Sequence, residues 1–301
     1  MFGTAEQTTS AEVEAKLLLL RGLLERRGLP AAVLAGPDSV AWLTGGLTNR
    51  IEPGNPVSPL WLVVTADAAA AVTTNVERPR LEAEAGLSEL GFELHEAPWY
   101  EPDGLARVAH GLAGPVAELG DELVALRLAL VPAERARLAA LAADAAAALE
   151  AALRMWSPGE LDLDVQARVA ERLERSGAFG ACLIVGGDER VERFRHPLAA
   201  GQPVHRLVMA VVVAERHGLH AAATRFACAG GLPEDGRAAH AAARAVERAT
   251  LDACVAGATY GDVLAALDRA YSAAGHRGAW REHYQVGPVC YRQREFELVP
   301  T

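Results

Sequence analysis

The chain has 301 residues, with 39 acidic against 29 basic side chains and a formal net charge of −10. Hydrophobic residues make up 51% and charged residues 23%, ordinary values for a folded protein that exclude wholesale disorder. A body this acidic is expected to be a poor nucleic-acid binder, because phosphate contact needs basic patches, and the apolar run Leu17–Leu20 is too short to span a membrane.

Residues 11–28 predict a helix, with Leu17, Leu20 and Leu24 recurring on one side and Gly28 after Arg26–Arg27 as its stop. Lys16, on this helix, is the single lysine of the chain. Ala31–Leu34 reads as a strand, and Asp38 as the cap of a short helix through Trp42, closed by a turn at Thr44–Gly46. Residues 47–59 form a polar loop rich in Pro and Gly. Leu60–Thr65 and Ala70–Thr74 predict a hairpin around Ala66–Asp67. Helices over Arg78–Leu90 and 103–118 flank a strand at Glu93–His95. This alternation predicts a small α/β domain over residues 1–130.

Leu123–Leu130 reads as a strand. Pro132, tolerated in a first turn, opens a long Ala-rich helix to Trp156, broken by Ser157–Gly159. A helix over Asp162–Ser176 follows, capped by Asp162. Strands are expected at Ala181–Val185, Leu207–Ala214 and Ala221–Ala229, with helices over Pro233–Ala256 and Tyr260–Ala274. The tail His283–Thr301 is turn- and strand-like. Two helices, a strand cluster, two helices and another strand cluster form a loose αβ repeat around a shared sheet, over residues 131–301.

No basic segment followed by an apolar stretch opens the chain, so no secretory signal is expected. Cys182, Cys228, Cys254 and Cys290 are widely spaced, which predicts reduced core cysteines in a cytoplasmic protein.

Several segments carry a resemblance. Pro37–Gly45 (PDSVAWLTG), Pro158–Gly159, Gly186–Pro197 (GGDERVERFRHP), Gly218–Arg225 (GLHAAATR) and His283–Glu295 (HYQVGPVCYRQRE) occur in the order and on the elements of the creatinase/aminopeptidase P peptidases. The sequence resembles that family over most of its length. The resemblance implies α/β architecture, with an N-terminal creatinase-like domain and a C-terminal pita-bread domain whose sheet looks incomplete at its C-terminal edge. It implies a homodimer acting on a small molecule or short peptide, and places the family's loop histidine at His196.

It also implies two divalent metals, such as Mn or Zn. Yet the two Asp ligand positions fall on Val211 and Ala222, and the metal His on Gly287. Side chains there carry no lone pair for a divalent ion. The match is better to a branch of the family without these ligands, in which Val286–Gly287 stands for a Gly–Gly pair. No metal and no other cofactor are therefore expected. Creatinase shows that the family fold can cleave a C–N bond without metal.

His196, beside Arg193 and Arg195, is either a proton shuttle or an exposed loop histidine. Arg225 either binds a carboxylate through its fork or makes a structural ion pair. His283, Gln285, Tyr291, Arg294 and Glu295 form either a polar pocket or a solvated chain end. The catalytic candidates are His196, His283 and Glu295. The substrate-binding candidates are Arg225, Gln285, Tyr291 and Arg294. Glu215, Arg216, His217 and His220, around Gly218, read as a solvated turn. His205, His240 and His276 read as surface residues.

The expected activity is metal-independent hydrolysis of a C–N bond in a small amino-acid or peptide-like substrate. The alternatives are a non-catalytic member that binds such a ligand, and an ordinary metallo-aminopeptidase.

Overall fold

The computed structural model describes residues 10–48, 51, 55–114, 116, 118–285 and 287–299. Expectations for the first nine residues, for 49–50, 52–54, 115, 117 and Val286, and for the last two residues lie outside the described residues.

The first half is a four-stranded sheet clasped by helices. Its elements are α1 (Ser10–Arg27), β1 (Ala31–Leu34), α2 (Pro37–Thr44), β2 (Leu60–Thr65), β3 (Ala69–Thr74), α3 (Arg78–Glu84), β4 (Glu93–Ala97) and α4 (Gly104–Ala113). The strand order is β1-β2-β3-β4, antiparallel except for the parallel pair β3–β4. Strand alternation sorts the apolar residues onto two faces. Ala31, Val63, Ala70 and Val72 pack with Ala109 and Ala113 of α4. Ala32, Leu34, Leu62, Val64 and Ala71 join the core containing Leu20 and Trp42 of α1 and α2. Gly36, not Asp38, caps α2, and Asp38 is spent on arginines instead.

The second half contains α5 (Gly120–Leu128), α6 (Pro132–Arg154), β5 (Glu160–Leu161), α7 (Asp162–Arg175), β6 (Phe179–Gly187), α8 (Glu189–Arg193), β7 (Pro203–Val204), β8 (Leu207–Arg216), β9 (Leu219–Cys228), α9 (Glu234–Asp252) and α10 (Tyr260–Ala273), with a short 3-10 turn at Ala279–Glu282. Strands β6-β8-β9 form an antiparallel sheet with α6 and α7 packed against it, and β5 pairs with β7.

Three expectations are corrected. Leu123–Leu130 is mostly helix α5, because so short an apolar stretch, interrupted only by Arg127, has no clear period to separate helix from strand. Leu161, not Asp162, caps α7. Asp162 turns back to accept backbone N–H groups of Ala200, Gly201 and Gln202. The tail forms no strand among the described residues. It folds into local turns, in which the Cys290 N–H donates to the Arg292 carbonyl and the Glu295 N–H to the Pro288 carbonyl.

One continuous core joins the halves, from Val13 and Trp42 through Leu141 and Val185 to Leu219 and Tyr291. Charges lie within this seam. Lys16, fully buried, contacts Glu12 and Glu134 and donates to the Trp42 carbonyl, each at 2.7 Å. Arg137 forks onto both oxygens of Glu12. Arg127, 1% exposed, reaches Asp38 at 2.9 Å and Glu295 at 2.6 Å. Buried charges persist only with partners of this quality.

The expectation of a solvated turn at Gly218 is also overturned. Gly218 has φ +74, and a Cβ there would lie 2.3 Å from that of Ala41 and 3.2 Å from the Tyr291 ring. Glu215 and His220 are buried as a pair 3.4 Å apart, and the His220 backbone N–H donates to the Cys290 carbonyl. The turn is wedged against α2 and the tail.

Candidate active site

The loop after α8 is held by Asp162. Its carboxylate takes the N–H groups of residues 200–202 and pairs with Arg190 at 3.0 Å, while Arg190 also donates to the Leu198 carbonyl. This anchorage places His196 opposite His283. The two rings meet edge to face with centroids 4.9 Å apart.

Around them opens a cleft of about 500 Å³. Arg195, Glu282, Gln285, Arg294 and Glu297 supply its polar wall, and Trp280 and Tyr284 its aromatic surface. Arg195 pairs with Glu282 at 2.7 Å, and Arg294 with Glu297 at 3.0 Å. Gln285 accepts from the Tyr271 hydroxyl and donates to the His283 carbonyl, so its amide is oriented from both ends. Burial, then the charges of His196, Arg195 and Arg294, push the His283 imidazole below its ordinary value. His283 is thus biased towards the neutral form, which can accept a proton.

The structure brings four of the seven expected site residues to this cleft: His196, His283, Gln285 and Arg294. Tyr291 and Glu295 are buried in the seam. Tyr291 donates from its hydroxyl to Glu134, while its backbone N–H donates to Glu295. Burial and the Glu134 charge raise the Tyr291 phenol far above its usual range, which keeps it a donor. Arg225 lies elsewhere. Its register partner is Ala210, on the sheet face covered by α6, and it pairs with Glu150 of that helix at 3.3 Å.

Arg281 is the residue that sequence reasoning missed. Its guanidinium stacks 4.3 Å from the centroid of Trp280, whose indole N–H donates to Asp268 at 2.6 Å. It pairs with no carboxylate among the described residues. The only sequence signal was its place in the Ala279–Glu282 turn just before His283.

No family model matches the sequence, and no curated protein matches it. Solved structures do. Dipeptidase PepE from Mycobacterium ulcerans superposes with a TM-score of 0.71 at 19% identity, over 97% of this chain and 85% of that one. The prolidase from Pyrococcus horikoshii OT3 gives 0.71 at 14% identity, over 94% and 86%. Proline aminopeptidase P II from Yersinia pestis gives 0.66 at 17%, over 93% and 76%. The chain has the pita-bread fold of these peptidases.

Within this pita-bread fold, Val211 and Ala222 lie on the sheet face opposite Arg225, since Val211 pairs with Thr224 and Ala222 with Val213. Among the described residues, no group of three or more His, Cys, Asp or Glu could hold a metal ion, and no helix is long and apolar enough to cross a membrane.

Proposed function

We propose that the chain hydrolyses a C–N bond in a small amino-acid or peptide-like substrate bound in the His196–His283 cleft, without a metal. The observation that carries this reading is the pair of histidines in contact at 4.9 Å within an open, arginine-lined cleft. The structural neighbours, a dipeptidase, a prolidase and a proline aminopeptidase, support the peptide-like substrate class. The side chains at 211, 222 and 287 do not fit a divalent ion, so no step is routed through one.

In this mechanism neutral His283 takes a proton from water as the water oxygen bonds to the acyl carbon. The carbonyl electron pair moves to oxygen, beside the Arg195 and Arg294 guanidinium groups. It returns as the C–N bond breaks, and protonated His196 delivers its proton to the departing nitrogen. Arg281, stacked on Trp280 and without a carboxylate partner among the described residues, holds a substrate carboxylate. This role replaces the one expected of Arg225.

The test compares chelator-treated wild type, His196→Ala and His283→Ala against a panel of dipeptides and N-acyl amino acids, reading turnover by mass spectrometry and affinity by calorimetry. General acid–base loss predicts a fall in turnover of about 10²–10⁴ for each variant with affinity largely kept. Equal turnover in wild type and both variants contradicts the proposal. Binding without turnover in wild type identifies a binding module instead.

A further inference from the structure

The cleft and the seam share one segment. Residues 287–299 supply Arg294, Glu297, Leu298 and Val299 to the cleft, and Cys290, Tyr291 and Glu295 to the interior, while the exposed Arg292 reaches Asp38 from the surface. The segment is folded tightly on itself. The Glu295 N–H closes onto the Pro288 carbonyl, and a Cβ at Gly287 would lie 2.3 Å from the Phe296 carbonyl oxygen and 2.7 Å from Cγ of Arg294. Only glycine allows that crossing.

Three sets of contacts attach this loop to the body. The His220 backbone N–H donates to the Cys290 carbonyl at 2.8 Å, the Gln293 amide donates to the carbonyl of Ala181 beside a bulge in β6, and Arg292 reaches Asp38 at 2.5 Å. Two anchors are buried: the Tyr291 hydroxyl, which donates to Glu134, and Arg127. One arm of its fork binds Asp38 and Ser39 of α2, and the other binds Glu295, whose second oxygen receives the Tyr291 N–H. The side chains of Arg127 and Glu295 are 2% and 0% exposed. A guanidinium held from both sides in this way has one geometry, which a single ammonium would not reproduce.

We propose that Arg127 is a positioning residue, joining α2 to the tail loop through Asp38 and Glu295 and thereby fixing the wall that holds His283 against His196. The inference rests on reading the His196–His283 cleft as the working site, but its test uses no turnover and so fails independently. Arg127 touches no cleft atom and acts through Glu295 and the loop.

The experiment is hydrogen exchange by mass spectrometry with histidine NMR on the full chain, comparing wild type, Arg127→Met and Arg127→Lys. Arg127→Met is expected to reduce protection of amides 289–296 at least tenfold while β8 amides change less than twofold. The His283 titration should move up towards the ordinary histidine value, as contact with His196, Arg195 and Arg294 loosens. Arg127→Lys, which keeps the charge without the fork, should fall between the two. If Arg127→Met does not fold, Glu295→Gln is read in the same way, with the same expected pattern. Unchanged protection of 289–296, or an equal loss across every element with an unmoved His283 titration, overturns the proposal.

Discussion

Arginine–carboxylate pairs occur in two opposite settings in this molecule. In the seam, Arg127, Asp38 and Glu295 are almost wholly excluded from water. In the cleft, Arg195 and Glu282 pair at a similar distance but are 61% and 64% exposed. The buried set cannot rearrange without stranding a charge in the core, whereas the exposed pair is screened and separates at little cost. The comparison teaches a division of labour. The seam fixes geometry, and the cleft keeps its charges available to a ligand.

The sharpest way to break this contrast is to remove one buried partner. Lys16→Met leaves the buried Glu134 without its cation and Glu12 with Arg137 alone, and a loss of about 3–5 kcal/mol is expected in a denaturant melt. A loss under about 1 kcal/mol would place the seam in the same class as the cleft. Gly218→Val should cost about 1–3 kcal/mol or more, since overpacking against Ala41 adds to strain at positive φ. Its thermal midpoint relative to wild type is the measurement.

Acid sharpens the contrast further. Burial alone would raise Asp38, but the Arg127 and Arg292 charges outweigh it. Glu12 is likewise lowered, by Arg137 and Lys16 against its own burial. Both carboxyls therefore titrate lower in the folded chain than in the unfolded one, where they titrate near ~3.9 and ~4.3. The stability they contribute is present above those values and lost as pH falls through the folded ones. Denaturation midpoints measured from pH 6 down to pH 2 should drop along this limb, and Asp38→Asn should flatten it. The smallest effect belongs to the cleft. Glu282→Ala should cost no more than about 1 kcal/mol, and less in high salt.

Much of the architecture was legible in the sequence because most elements obey local rules. The hairpin Leu60–Thr74, the helix from Pro132 and the strands at 181–229 follow from period, proline and turn residues. What stayed hidden depends on contacts across the chain. Arg127 stands 168 positions from Glu295, and no local pattern marks it as buried. Asp38 looked like a cap because capping is what a local reading can see. The turn at Gly218 looked solvated because the residues that cover it, Ala41 and Tyr291, are remote in sequence. In the site, His196 and His283 were found through the family resemblance. Tyr291 and Glu295 were grouped with them by adjacency, although neighbours along a loop face opposite ways here, His283 and Arg294 to the cleft and Tyr291 and Glu295 to the core.

The most direct measurement of the central claim is the pH dependence of kcat/KM for chelator-treated protein whose metal content has been determined by elemental analysis. The account predicts turnover at negligible metal, rising with pH through an apparent pKa below the ordinary histidine value of ~6.5, because His283 must be neutral and its surroundings favour that form. His283→Ala should abolish that limb. Activity that appears only on adding Mn or Zn, or a limb that survives His283→Ala, would contradict it.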